Sequence, residues 1–155
     1  MNGKEYLIEH LSDTDAGLPW EREDGHGEVS EWTKRGKRPG ELTLMAHRYY
    51  DFAGACKIAR RDGWGRRIIH AHEGGARGAG GLSPRMKAAR AVRADYERLR
   101  AWCESKWEYI GVVVTPLTPD GDELRSKSRA LWGIESDAGD YLDTVARELI
   151  GEINS

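Results

Sequence analysis

Residues 107–116, Trp-Glu-Tyr-Ile-Gly-Val-Val-Val-Thr-Pro, constrain the fold more than any other stretch of this chain. Val, Ile, Thr and Tyr favour extended backbone because their side chains pack well on a pleated surface. The run is β-branched enough to be the central strand of a sheet. Pro119-Asp120-Gly121 supplies turn chemistry after it. Residues 129–135, Arg-Ala-Leu-Trp-Gly-Ile-Glu, then read as a strand that pairs back, giving a hairpin with a long tip. A last helix is expected over about 138–152, with Asp137 as its cap and Asp140 and Asp143 at the positive end of its dipole. Leu142, Val145, Ala146 and Leu149 form its inward stripe.

Upstream, residues 4–11 read as a short strand. Residues 12–41 resist assignment, since Gly17, Pro19, Gly25, Gly27, Gly36, Pro39 and Gly40 break them repeatedly. Trp20 and Trp32 within them need burial or a partner, so the segment is expected to be an ordered arm with one short strand near Val29–Trp32. Residues 41–50 read as one strand. A helix follows at 52–62, capped by Asp51, with Phe52, Ala55 and Ala59 at helical spacing and Gly63 as its terminator. Residues 64–82 hold six glycines and read as a flexible loop. A second helix runs over about 84–105, with Ser83 as N-cap, Pro84 at N1, and Val92, Tyr96, Leu99 and Cys103 as its apolar stripe. The order predicts an α+β fold: a mostly antiparallel sheet, three helices and a long irregular N-terminal arm, in a single domain over 1–155.

Composition narrows the class. Cys56 and Cys103 are isolated thiols without CxxC spacing, which points to a reducing compartment and away from a disulfide scaffold. Met1-Asn2-Gly3-Lys4-Glu5 carries no apolar leader, and no run approaches the roughly 18 apolar residues of a membrane span. A cytoplasmic protein with no membrane partner is expected.

The total charge of −2 conceals a sorted sequence. Residues 1–30 hold eight acidic and two basic side chains, residues 31–100 hold seventeen Lys/Arg against seven Asp/Glu, and residues 101–155 hold five against eleven. A basic middle between acidic flanks argues for a charged macromolecular partner. Lys34, Arg35, Lys37 and Arg38 cluster on the arm; Arg60, Arg61, Arg66 and Arg67 surround Trp64; Arg85, Lys87, Arg90 and Arg93 lie on the second helix. Arg beside an aromatic ring suits phosphate contact with base stacking, and it equally suits an acidic protein surface. The competing expectation is a solvated face paired in cis with the acidic flanks. Trp102, Trp107 and Trp132 are expected in the core; Trp20, Trp32 and Trp64, set among charges and glycines, are expected as exposed anchors.

Elements of chemistry are sparse. His70-Ala71-His72-Glu73 places two imidazoles on one side of an extended segment, a metal-ligand spacing, with His26 and His47 as further ligands from elsewhere. Loop histidines without metal are the simpler account. Asp24-Gly25-His26-Gly27 admits an Asp–His catalytic element but has no accompanying nucleophile motif, and the flanking glycines indicate a tight turn. The Gly74–Gly81 run lacks the Gly-Lys-Ser/Thr ending of a phosphate loop. Glu135, Asp137, Asp140 and Asp143 resemble a phosphate mimic but also fit ordinary charge at a helix start. No catalytic residue, metal or cofactor is assigned.

Leu18-Pro19-Trp20-Glu21, Asp24-Gly25-His26-Gly27, Tyr49-Tyr50-Asp51-Phe52-Ala53, Ile58-Ala59-Arg60-Arg61-Asp62-Gly63-Trp64 and Leu131-Trp132-Gly133-Ile134-Glu135-Ser136-Asp137 together resemble a family of small uncharacterised proteins of bacteriophages and prophages, over about residues 13–150. Relatives often carry a Gly/Ser spacer before the Tyr-Tyr-Asp-Phe-like run. Met45-Ala46-His47-Arg48 leads straight in here, which argues against a hairpin at that point. The resemblance implies a mobile-element origin and, by analogy, an inhibitor of host defence of the anti-CRISPR or anti-restriction kind. The expected partner is a host protein or nucleoprotein complex. Lys34, Arg35, Lys37, Arg38, Trp20, Trp32, Arg60, Arg61, Trp64, Arg66 and Arg67 are the candidate partner-binding residues. A nucleic-acid-binding accessory protein and a metal-dependent enzyme using His70 and His72 remain as alternatives.

Overall fold

A computed structural model describes residues 4–65 and 82–155. The fold is α+β, with five strands, all antiparallel in their pairings, and four helices among the described residues. The chain divides into two compact units: a terminal unit of Met1–Gly17 with Trp107–Ser155, and a central unit of Leu18–Lys106.

The terminal unit holds β1 (Tyr6–Ser12), β4 (Tyr109–Pro116), β5 (Arg129–Glu135) and α4 (Asp140–Ile153). β4 is the middle strand of a sheet ordered β1-β4-β5, as its apolar run requires. Ile110, Val112 and Val114 alternate onto one face of it and meet Val145, Ala146 and Leu149 of α4, with Ile134 from β5. Leu142, Ile150, Ile153 and Tyr6 pack around that cluster. The stripe expected for the last helix is therefore the one buried, but its start is later than expected. α4 begins at Asp140 behind Gly139, which has φ +62, so Asp137 is not its cap. The register of β5 slips opposite Ile110–Val112, where Gly133 adopts φ +76. The bulge aims Trp132 across the sheet onto Gly111. A Cβ at Gly111 would stand only 2.2 Å from the Trp132 ring, so the indole occupies space that any side chain there would need. Trp132 consequently covers β4 while remaining 47% exposed, and it is not the core residue expected. Trp107 is buried and meets Tyr109 edge-on, with ring centroids 5.2 Å apart.

The central unit holds α1 (Pro19–Arg22), β2 (Glu41–Met45), β3 (Arg48–Asp51), α2 (Phe52–Asp62) and α3 (Pro84–Cys103). The single strand expected at 41–50 is a hairpin. β2 and β3 pair antiparallel, with Leu42 opposite Tyr50 and Met45 opposite Arg48, around the two-residue turn Ala46-His47. Ala46 takes φ +44, a left-handed conformation of the kind a two-residue hairpin turn uses. The arm is irregular but ordered along this hairpin. Asp51 N–H donates to Glu28 O, Ser30 N–H to Tyr49 O and Thr33 N–H to His47 O. Only a single bridge, Val29 to Tyr50, forms where a short strand is expected.

Helix signals act as read. The Asp51 carboxylate accepts from Gly54 N–H, and Gly63 closes α2 at φ +77. The Ser83 hydroxyl accepts from Met86 N–H, and Pro84 opens α3. Ala55 and Ala59 let α2 approach α3 closely, and with Leu44, Tyr50, Ala88, Val92, Tyr96 and Leu99 they form the core of this unit. The glycine-rich expectation at 64–82 falls mostly outside the described residues.

Candidate functional site

The charge sorting coincides with the two units. The central unit carries nineteen Lys/Arg against twelve Asp/Glu, and the terminal unit five against fourteen. Net charges of +7 and −9 thus belong to separately packed bodies. Charge of one sign on one body creates a directional field for an oppositely charged partner.

Within the arm, the four cations of Lys34–Arg38 do not act alike. Lys34, Lys37 and Arg38 are exposed. The Arg35 guanidinium forks onto Glu41, with both nitrogens at 2.8 Å from the carboxylate oxygens. It also lies 5.1 Å from the Tyr49 ring centre. Glu41 accepts a further bond from Arg38 N–H. The hydrogen bond from Arg35, followed by that from the Arg38 amide, holds the Glu41 carboxyl down at about 2. Arg35 therefore folds the arm against β2, which the sequence alone did not distinguish from a docking cation. Trp32 is 55% exposed and meets the His47 ring edge-on at 5.5 Å. Met45, at the hairpin turn, is also exposed.

The other candidate aromatics have internal roles. Trp20 meets Trp102 edge-on at 5.6 Å and carries the Arg48 guanidinium 5.2 Å above its ring. Trp64 packs against the central core, and its backbone N–H donates to Ala59 O. Neither is the freely exposed anchor expected. Arg60 and Arg61 are exposed on the last turn of α2, where Arg61 pairs with Asp62. Arg93 and Arg100 likewise pair with Glu97 and Glu104 one turn along α3. Arg61, Arg93 and Arg100 are thus screened by near neighbours in sequence. Arg66, Arg67, His70 and His72 lie outside the described residues. Among the described residues no cluster of three or more metal-ligating side chains occurs, and no helix is long and apolar enough to cross a membrane.

The most tightly built polar cluster was not assembled from the sequence. Asp95 lies on α3 beside the buried stripe. Its carboxylate meets His26 Nδ1 at 2.5 Å and accepts from Gly27 N–H at 2.9 Å and the Tyr50 hydroxyl at 2.6 Å. His26 Nε2 stands 3.8 Å from Glu23. The side chains of His26 and Asp95 are 16% and 11% exposed. Burial opposes the charge on Asp95, but the hydrogen bonds from His26, Tyr50 and Gly27 outweigh it and hold its carboxyl below the ordinary range. Burial, then the bond to Asp95, pushes the Tyr50 phenol far up, so it remains a donor. Gly27 is required by contact, since a Cβ there would lie 2.5 Å from the Tyr50 hydroxyl. The sequence favours a tight turn around His26, with Asp24 as the one carboxylate considered for it; its partner is Asp95, sixty-nine residues later. The arrangement ties the arm to α3 and β3 through one carboxylate. The signal available in sequence was one of the two carboxylates of a mainly basic helix, set next to Tyr96 of its apolar stripe.

A groove of about 360 Å³ lies between α2 and the first turns of α3. Ala53, Cys56 and Ala89 line it together with Lys57, Arg60 and Arg85. Burial raises the Cys56 thiol above its usual value, so it is held as the neutral thiol.

No family model, no curated protein and no solved structure matches this chain.

Proposed function

We propose that the chain is a binding protein that docks on a host nucleoprotein complex and inhibits a defence system, with the arm of the central unit as its contact. The observation that carries this reading is Trp32, more than half exposed and braced by His47, with Lys34, Lys37 and Arg38 exposed on the same arm. An exposed Trp that needs no further ordering is the kind of anchor that dominates interfaces. Cations at the rim speed and orient encounter with an anionic partner more than they add affinity. Bond networks through Glu41 and Asp95 hold the arm in one conformation, which lowers the entropy lost on docking. The resemblance to small phage proteins supplies the defence context as analogy.

The test uses an assembled RNA-guided nuclease complex and a restriction endonuclease as probes. Co-elution with one of them, loss of its cleavage activity, and release by Trp32→Ala or by Lys34→Glu/Lys37→Glu/Arg38→Glu are expected. Arg35 is left intact because it folds the arm. Failure to bind either probe, or binding unchanged in both variants, refutes the reading. Tight binding to bare nucleic acid that falls steeply with salt replaces docking with direct nucleic-acid binding.

A further inference from the structure

The groove between α2 and α3 is electrostatically incomplete. The first turn of α3 contains no acidic residue, and it carries Arg85. Positive side chains at the positive end of a helix dipole are unfavourable, and an anion there relieves them. α2 brings Lys57 and Arg60 to the same groove. Among the described residues, Lys57, Arg60 and Arg85 form no ion pair, and no carboxylate lines the cavity. Arg61, Arg93 and Arg100 show the contrasting pattern, each with a carboxylate close by.

The floor is of the opposite character. Ala53, Cys56 and Ala89 present small apolar or neutral surface, and the stems of the three cations extend it. A volume of about 360 Å³ is at the small end of the roughly 300–1,000 Å³ that ligand pockets span. Three cations lining one groove with an apolar floor fit a ligand with an anionic head and a flat, weakly polar body. We infer that this groove binds a nucleoside monophosphate unit, its phosphate held by Lys57, Arg60 and Arg85 and its base laid on Ala53, Cys56 and Ala89. Two sources share that chemistry: a free nucleotide and the phosphorylated end of a nucleic-acid strand. The inference does not depend on the arm reading, because it uses none of the arm residues.

Calorimetric titration of the full chain with AMP, inorganic phosphate and a 5′-phosphorylated single-stranded oligonucleotide tests it. Saturable binding of AMP, tighter than that of inorganic phosphate, is expected. Arg60→Ala and Arg85→Ala should each weaken it about tenfold, the usual scale of one charge-assisted hydrogen bond. Trp32→Ala should leave it unchanged, which separates this site from the arm. The oligonucleotide binding more tightly than AMP assigns the strand end as source; the reverse order assigns the free nucleotide. Cys56 provides an independent readout: AMP should slow its alkylation while leaving Cys103 unaffected. Absence of saturable AMP binding, phosphate binding as tight as AMP, or both alanine variants binding like the parent overturns the inference. Equal alkylation of Cys56 with and without AMP also overturns it.

Discussion

Removing the Asp95 carboxylate should be among the most damaging single changes in the central unit. Asp95→Ala leaves the Tyr50 hydroxyl without its acceptor in a residue that is 0% exposed, and leaves the buried Gly27 N–H without one as well. Each buried donor left unsatisfied costs about 1–3 kcal/mol, so the two together with the lost His26 contact predict a loss of about 3–5 kcal/mol. A domain holds only about 5–15 kcal/mol in total, so the loss is a large fraction of it. Asp95→Asn keeps the shape and one acceptor oxygen but turns an N–H₂ toward a donor, and about 2 kcal/mol is expected. Amide hydrogen exchange is the suitable assay because it reads each unit separately. Protection at Val92 and Leu99 should fall, and so should that at Gly27. The pH dependence has a definite sign. The folded Asp95 is held below the ordinary carboxylate value by its donors. Its contribution is therefore complete above the unfolded value of about 3.9 and disappears as pH falls through the folded one. The gap between parent and Asp95→Asn should close below about pH 4. A loss under 1 kcal/mol for Asp95→Ala, or a gap that persists at low pH, would refute the account.

Two further outcomes concern the arm and the terminal unit. Glu41 should titrate at about 2 by carboxyl NMR, since Arg35 and the Arg38 amide favour its charged form, and Arg35→Lys should raise that midpoint; a native midpoint in the ordinary range excludes the fork. Val145→Asp places a carboxylate at a position 1% exposed beneath β4 and should abolish exchange protection at Val112 and Val114; retained protection shows that α4 does not carry that core.

What local chemistry fixes was legible in the chain. Asp51 and Gly63 bound α2, Ser83 and Pro84 start α3, and the run from Tyr109 to Pro116 is a central strand, because caps and β-branched runs act over a few bonds. The stripes Val92-Tyr96-Leu99 and Val145-Ala146-Leu149 followed from helical period alone. The hairpin at Ala46-His47 escaped, because a non-glycine residue at φ +44 leaves no mark in residue type. Trp132 and Trp20 exchanged expected places, since a bulge at Gly133 decides the first and an aromatic contact with Trp102 the second.

Residue types gave the sign of charge along the chain; tertiary structure decided which charges remain for a partner. Arg35 and Lys34 are adjacent cations, yet one is forked onto Glu41 and the other faces solvent. His26 and Asp95 lie far apart in the chain, and their pairing exists only because the arm, β3 and α3 meet. Hydrogen bonds of that kind depend on distances of a few tenths of an ångström between elements distant in sequence, which local propensity does not encode.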